Sequence, residues 1–196
     1  MDTNRLTEVI QAAQAGDPGA FDALVDAYAR RVYGFVFRLT GSRNDAEDLL
    51  QEVMLRVVRR LGEYRHDGRF EAWLFRIAVN LVRDRARRLK TRGDVGSGGD
   101  HEDGSSFARL PDRRTPAPDH HLRLTEQIDE LQDALARLPV AEREVIMLRH
   151  FSDMSFKDIS GLMEAPLGTT LARAHRGLRK LRELMDPDGW KQTGTS

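Results

Sequence analysis

Apolar residues recur every three or four positions in blocks along this chain, and that periodicity limits what it can fold into more than any other feature. Phe21, Leu24, Tyr28, Val32, Phe35 and Leu39 form one stripe. Leu50, Met54, Val57 and Leu61 form a second, and Phe70, Leu74, Ile77 and Leu81 a third. Such spacing puts side chains on one face of an α-helix. The pattern resumes later with Ile128, Leu131, Leu135 and Leu138, then with Phe156, Ile159 and Leu162. The last block, Leu167, Leu171, Ala174, Leu178, Leu181 and Met185, is expected to be a buried face. Punctuation agrees with helices. Thr40-Gly41 suits a left-handed terminal cap, and Asn44 with Glu47 reads as a capping box. Gly62 to Arg69 is a short polar loop. Pro139 ends one helix and can start the next, over 140–150. Ser155 with Asp158 is a second cap pair, and Glu164 to Gly168 is a turn. Phe70, Trp73 and Phe75 are expected in the core.

Between the blocks the chain changes character. Residues 91–120 contain TRGDVGSGGDHEDGSS and RTPAPDHH, rich in glycine, serine, acid and proline, with no apolar period. A structureless loop of that length is unusual inside a compact domain, so it reads as a linker. The expected fold is therefore all-α. Two small helical domains, over 1–92 and 122–186, are joined by a flexible linker over 93–121, with a tail over 187–196. A length of 196 residues with 40% hydrophobic and 7% aromatic side chains accommodates this.

Several function classes are disfavoured. The chain has no cysteine, which excludes disulfides and thiolate metal sites and suits a reduced, cytoplasmic protein. No apolar run is long enough to insert in a membrane, and MDTNRLTEVIQ lacks the features of a signal peptide. The six histidines stand at no ligand spacing. No metal, cofactor or catalytic residue is expected.

The net charge is zero, but the charges are segregated. From Arg76 to Arg92 there are seven basic residues and one acid, Asp84. From Leu171 to Arg182 there are five basic residues, one histidine and no acid. Two basic stripes suit two polyanion-binding surfaces, although solvated helix faces carry the same signature.

Three constellations give this content. The short helix, turn and longer basic helix over 155–185 follow the helix-turn-helix plan. Its outer face offers Thr169, Thr170, Arg173, His175 and Arg176, with Arg179 and Lys180 further along; arginine can fork onto guanine. Second, Asp45-Ala-Glu-Asp-Leu-Leu-Gln-Glu52 places Asp48, Gln51 and Glu52 on one helix face, a polar face suited to a partner protein. A divalent-metal cluster of Asp45, Glu47, Asp48 and Glu52 would need more than one helix. Third, Tyr64, Arg65, His66, Asp67 and Arg69 form an aromatic and basic loop before a helix carrying Arg76, Asn80, Arg83, Arg87 and Arg88. That arrangement suits opened DNA, with base stacking beside phosphate contacts.

In this order the motifs resemble those of the extracytoplasmic-function sigma factors of RNA polymerase. GAFDALVDAYARRVYGFVFRLTGSRNDAEDLLQEVMLRVVRRL is similar to sigma regions 2.1–2.2 and GRFEAWLFRIAVNLVRDRARR to regions 2.3–2.4. LARLPVAEREVIMLRHFSDMSFKDISGLMEAPLGTTLARAHRGLRKLREL is similar to region 4. The resemblance implies that Asp45, Asp48, Gln51 and Glu52 dock on the β′ clamp helices of core RNA polymerase. It implies that region 4 meets the β flap. The loop 64–70 and Asn80 would capture a flipped base of the −10 promoter element, with the basic run Arg83 to Lys90 along nearby phosphates. Thr169, Thr170, Arg173, His175, Arg176, Arg179 and Lys180 would face the −35 element. An anti-sigma factor is a further implied partner. The run Gly168-Thr-Thr-Leu-Ala172 departs from the family, which has a basic residue and a serine where Leu171 and Ala172 stand. Two other readings stay open on the residues alone. One is a helix-turn-helix regulator that binds DNA without polymerase, and the other a metal-dependent nuclease.

Overall fold

The structure is a computed structural model, described here over residues 2–93 and 128–185. The expected linker, apart from Gly93, and the expected tail lie outside the described residues. The chain divides into two compact units, Met1–Arg109 and Leu110–Ser196. The regular structure is helical, with no strand among the described residues.

In the N-terminal unit, α1 runs Thr3–Gln14, α2 Pro18–Thr40, α3 Arg43–Arg60 and α4 Phe70–Gly93, with a 3₁₀ turn over Leu61–Glu63. Asp17 caps α2 ahead of Pro18 in its first turn. Gly41 ends α2 at φ 73°, donating its N–H to the Phe37 carbonyl at 2.8 Å. A residue with a Cβ would be strained there. The chain then passes through Ser42 in extended conformation, and the Ser42 hydroxyl accepts from the Asp45 N–H. Ser42, not Asn44, is therefore the cap of α3. Asn44 already lies within the helix, where its side chain no longer reaches the first-turn amides.

The three sequence stripes meet in one core. Leu24, Tyr28, Val32, Phe35 and Leu39 of α2 are buried with Leu49, Leu50, Val53 and Val57 of α3 and with Leu61. Phe70, Leu74, Phe75, Ile77, Ala78 and Leu81 of α4 complete it. Phe35 and Phe75 pack edge to face, 5.2 Å between centroids. Arg31 of α2 grips Glu71 of α4 with two bonds of 2.6 and 2.7 Å.

In the C-terminal unit, α5 covers 128–136, α6 Val140–Phe151, α7 Phe156–Leu162 and α8 Leu167–Met185. Ser155 and Asp158 form a reciprocal capping box on α7, as their spacing suggests. Leu135, Leu138, Val145, Leu148, Met154 and Ile159 fill the centre.

Helix α8 departs from the expected burial. Of the expected stripe Ala174 is buried, but Leu167, Leu171, Leu178 and Met185 are 44–54% exposed, and Thr170 and Gly177 are buried beside Ala174. The packed face is thus the row of small residues. At Gly177 the helices α6 and α8 come so close that a Cβ would lie 2.7 Å from Ile146 Cδ1 and 3.1 Å from Glu142 Cβ. Close approach at small residues fixes the crossing of the two helices, and a larger side chain would drive them apart. Gly177→Leu should lower stability by about 2 kcal/mol or more. Thermal unfolding followed by circular dichroism checks this, and an unchanged midpoint would contradict the tight crossing.

Candidate nucleic-acid interface

Helix α4 is buried on one side and basic on the other. Arg76, Asn80, Arg83 and Arg87 recur at spacings that align them on one row, with Arg76, Asn80 and Arg87 exposed and Arg83 partly so. Arg88 is exposed but lies off this row. Arg87 pairs with Asp84 one turn back. Arg85 belongs to the other side. Its guanidinium bonds the Asp45 carboxylate and lies 3.7 Å from Asp48. The basic run Arg83 to Lys90 is therefore not a uniform phosphate track, because Arg85 ties α4 to the start of α3.

This pairing also divides the carboxylates expected to meet a partner. Asp45 and Asp48 lie against Arg85, and Glu52 pairs with Arg56 at 2.9 Å. Gln51 is exposed, and so are Leu55 and Val58 on the same outer face of α3. The acids engage arginines in place of converging on an open site. No group of three His, Asp or Glu side chains among the described residues is arranged to hold a metal ion.

The loop before α4 is built on aromatic contacts. Tyr64 packs against Trp73 at 4.7 Å and Phe70 at 5.7 Å between centroids. Phe70 is fully buried, but Trp73 is only partly so. Trp73 was expected in the core; its position two turns before Asn80 on the exposed row explains why it is not. Gly68, at φ 80°, turns the chain into α4, and Asp67 accepts from the Arg69 N–H at 3.1 Å. Arg65, Asp67 and Arg69 are exposed. Helix α1 supports this loop from behind. Gln14 donates to the carbonyls of Leu61 and Tyr64 at 2.9 and 2.7 Å. Thr7 meets His66 at 3.1 Å. Sequence patterning gave α1 no part in the site, since a lone Gln and Thr carry no motif.

In the C-terminal unit, α7 and α8 form the expected short-helix, turn, long-helix arrangement. Thr169, His175, Arg179 and Lys180 are exposed, and Arg173 is partly exposed. Thr169, Arg173, Arg176 and Lys180 share a row. Thr170 does not join them. It is fully buried, and its hydroxyl donates to the Pro166 carbonyl at 3.3 Å. Arg176 donates from Nε to Glu142 Oε1 at 3.0 Å, while Arg179 reaches Glu183 at 3.8 Å.

Comparison with known proteins bears on both units. Residues 24–92 match the sigma-70 region 2 family and residues 128–181 the sigma-70 region 4 family. The chain is 38% identical over 170 residues to the RNA polymerase sigma factor CarQ of Myxococcus xanthus, covering 85% of this chain and 91% of that protein. It is 37% identical over 172 residues to the ECF RNA polymerase sigma factor SigE of Mycolicibacterium smegmatis. That match covers 88% of this chain but 63% of that longer protein. The fold is similar to that of CnrH, solved in complex with the cytosolic domain of CnrY, at a TM-score of 0.61 and 24% identity. The match covers 95% of this chain and 99% of CnrH.

Burial and then the nearby Asp67 charge push the Tyr64 phenol up to about 12. The protonated form is favoured in the folded protein, so the stability it contributes is intact below pH 10. It is lost as pH rises from there through 12. The difference in ultraviolet phenolate titration between the wild type and Tyr64→Phe should have a midpoint near 12. A midpoint near 10 would mean that the ring is open to water.

Proposed function

This chain belongs to the extracytoplasmic-function sigma factors of RNA polymerase, and from that premise we propose how its two units divide the work. The family binds core polymerase, directs it to promoters and initiates transcription. A helix-turn-helix regulator working without polymerase would leave the region 2 match over 24–92 unexplained.

The unit over 1–92 docks on the polymerase clamp and handles the −10 element. Gln51 and Glu52, with Asp48 at their flank, form the polymerase-facing surface, while Asp45 acts mainly by fixing Arg85. The loop 64–70, Asn80 and the row of Arg76, Arg83 and Arg87 receive opened DNA, with Arg88 beside them. Tyr64 and Trp73 supply the stacking surface for an unstacked base. The unit over 122–186 reads the −35 element with Thr169, Arg173, Arg176, Arg179 and Lys180, and His175 lies at the edge of that surface. The segment 93–121 joins the two. No covalent chemistry is involved, and the protein works in the cytoplasm without a cofactor. The single observation that supports this most is that each unit turns one exposed basic row outward, in the chain order of regions 2 and 4. The sigma factor RpoE of Bartonella quintana, similar in fold at a TM-score of 0.59, was solved in complex with the anti-sigma factor NepR, which supports an anti-sigma factor as a further partner here.

Docking on polymerase holds both units at one spacing, so the first promoter contact raises the effective concentration of the second. Gln51→Ala with Glu52→Ala should weaken binding to core polymerase about tenfold or more with an unchanged melting midpoint. Equal affinity in a titration would reject that surface. Arg173→Ala should reduce run-off transcription from promoters that carry a −35 element and spare those that lack it. Equal loss on both classes would reject its assignment to −35 reading.

A further inference from the structure

We propose that Glu142 is a positioning residue for −35 recognition, holding Arg176 so that one edge of its guanidinium is presented to DNA. The inference rests on the assignment of α8 to the −35 element and adds a residue from outside that helix. Glu142 stands in the first turn of α6. Its side chain is only 12% exposed, while that of Arg176 is 51% exposed. The bond between them runs from Arg176 Nε to Glu142 Oε1 at 3.0 Å.

The choice of nitrogen matters. A guanidinium can offer a forked pair of donors from its side, using Nε and one Nη, or from its end, using both Nη groups. With Nε committed to Glu142, the side edge is closed and the end edge remains. Among the described residues no acceptor is bonded to either Nη of Arg176. A fixed end-on fork matches the O6 and N7 acceptors of guanine or two phosphate oxygens. Without Glu142, a long side chain on a helix surface samples many rotamers, and ordering it on DNA costs entropy.

The backbone makes this arrangement possible. Gly177 lets α8 approach α6 until a Cβ at that position would lie 3.1 Å from Glu142 Cβ. Arg176 is the neighbouring residue, so the crossing that admits no side chain at 177 brings its guanidinium within reach of Glu142. Glu142 thus meets the proposed reading row of α8 from α6. Partial burial keeps its charge away from the phosphates that the row would approach.

The test uses reconstituted holoenzyme with the full-length chain and a promoter library randomised across the −35 element, read as run-off transcript. Arg176→Ala is expected to flatten preference at one or two base pairs by about tenfold. Glu142→Ala should flatten the same base pairs. Glu142→Gln, whose amide oxygen still accepts from Nε, should keep most of the preference. Glu142→Ala with Arg176→Ala should be no worse than Arg176→Ala alone, because the carboxylate acts through that guanidinium. Uniform loss of output with base preference intact would overturn the positioning role and leave Glu142 a packing residue. Additive losses in the double variant would overturn it too. If Arg176→Ala itself left −35 preference unchanged, the inference would fail, while the assignment of α8 would stand or fall separately with Arg173→Ala.

Discussion

Helix α4 carries a core face on one side and an exposed basic row on the other, and the N-terminal unit is arranged around that division. Phe70, Leu74, Phe75, Ile77 and Leu81 close the core against α2 and α3. A 24-residue helix in this segment leaves little room for charge on its inner side, yet Arg85 sits there. Asp45 makes that tolerable. It lies in the first turn of α3, where the helix dipole already favours an anion, and its carboxylate then receives Arg85. A partly buried guanidinium without that acceptor would carry a desolvation cost with nothing to offset it. The pair therefore locks α3 to α4. It also fixes the distance between the exposed Gln51 surface and the outward row of Arg76, Asn80 and Arg87. On the proposed roles, a partner gripping α3 would thereby set the position of the row offered to DNA.

Much of this was legible from spacing. Phe70, Leu74, Ile77 and Leu81 were read as one buried face of a helix, and all four are buried. The Ser155–Asp158 pair and the Gly41 cap followed from local chemistry that needs no tertiary information. What escaped the reading depended on a neighbour. The basic run after Arg83 does not reveal which arginine faces inward, because Asp45 stands 40 residues away in sequence. Asn44 and Ser42 are both good cap residues, and the choice was made by the left-handed turn at Gly41. Trp73 looked like core because of its size. Its position on α4 leaves it beside Tyr64 at the surface, where a ring can stack on something other than protein.

Helix α8 shows the limit most clearly. Its apolar stripe is the more regular pattern, but its packed side is Thr170, Ala174 and Gly177, centred roughly 55° away round the helix with Ala174 common to both. A hydrophobic count weights area removed from water, which favours leucine. Helix crossings also reward closeness, which favours residues with little or no side chain. The hydroxyl of Thr170 points to DNA on sequence alone, but the same closeness claims this residue for the crossing. Once its hydroxyl bonds the Pro166 carbonyl, threonine is a small residue suited to an interior helix face.

The close crossing of α6 and α8 has a mechanical consequence for recognition. Reading a base edge requires a side chain held to within a fraction of an ångström, and a helix that can slide or roll on its support blurs that placement. A contact made through small residues leaves little slack, since α8 offers almost no side chain of its own at Gly177, where Ile146 and Glu142 of α6 close in. Rigidity of this kind lets a small unit spend few residues on recognition. The basic row then needs only to meet DNA in one register, and affinity can come from the second unit and from polymerase. If α8 reads the −35 element as proposed, promoter choice is set by how firmly that helix is held as much as by which side chains it presents.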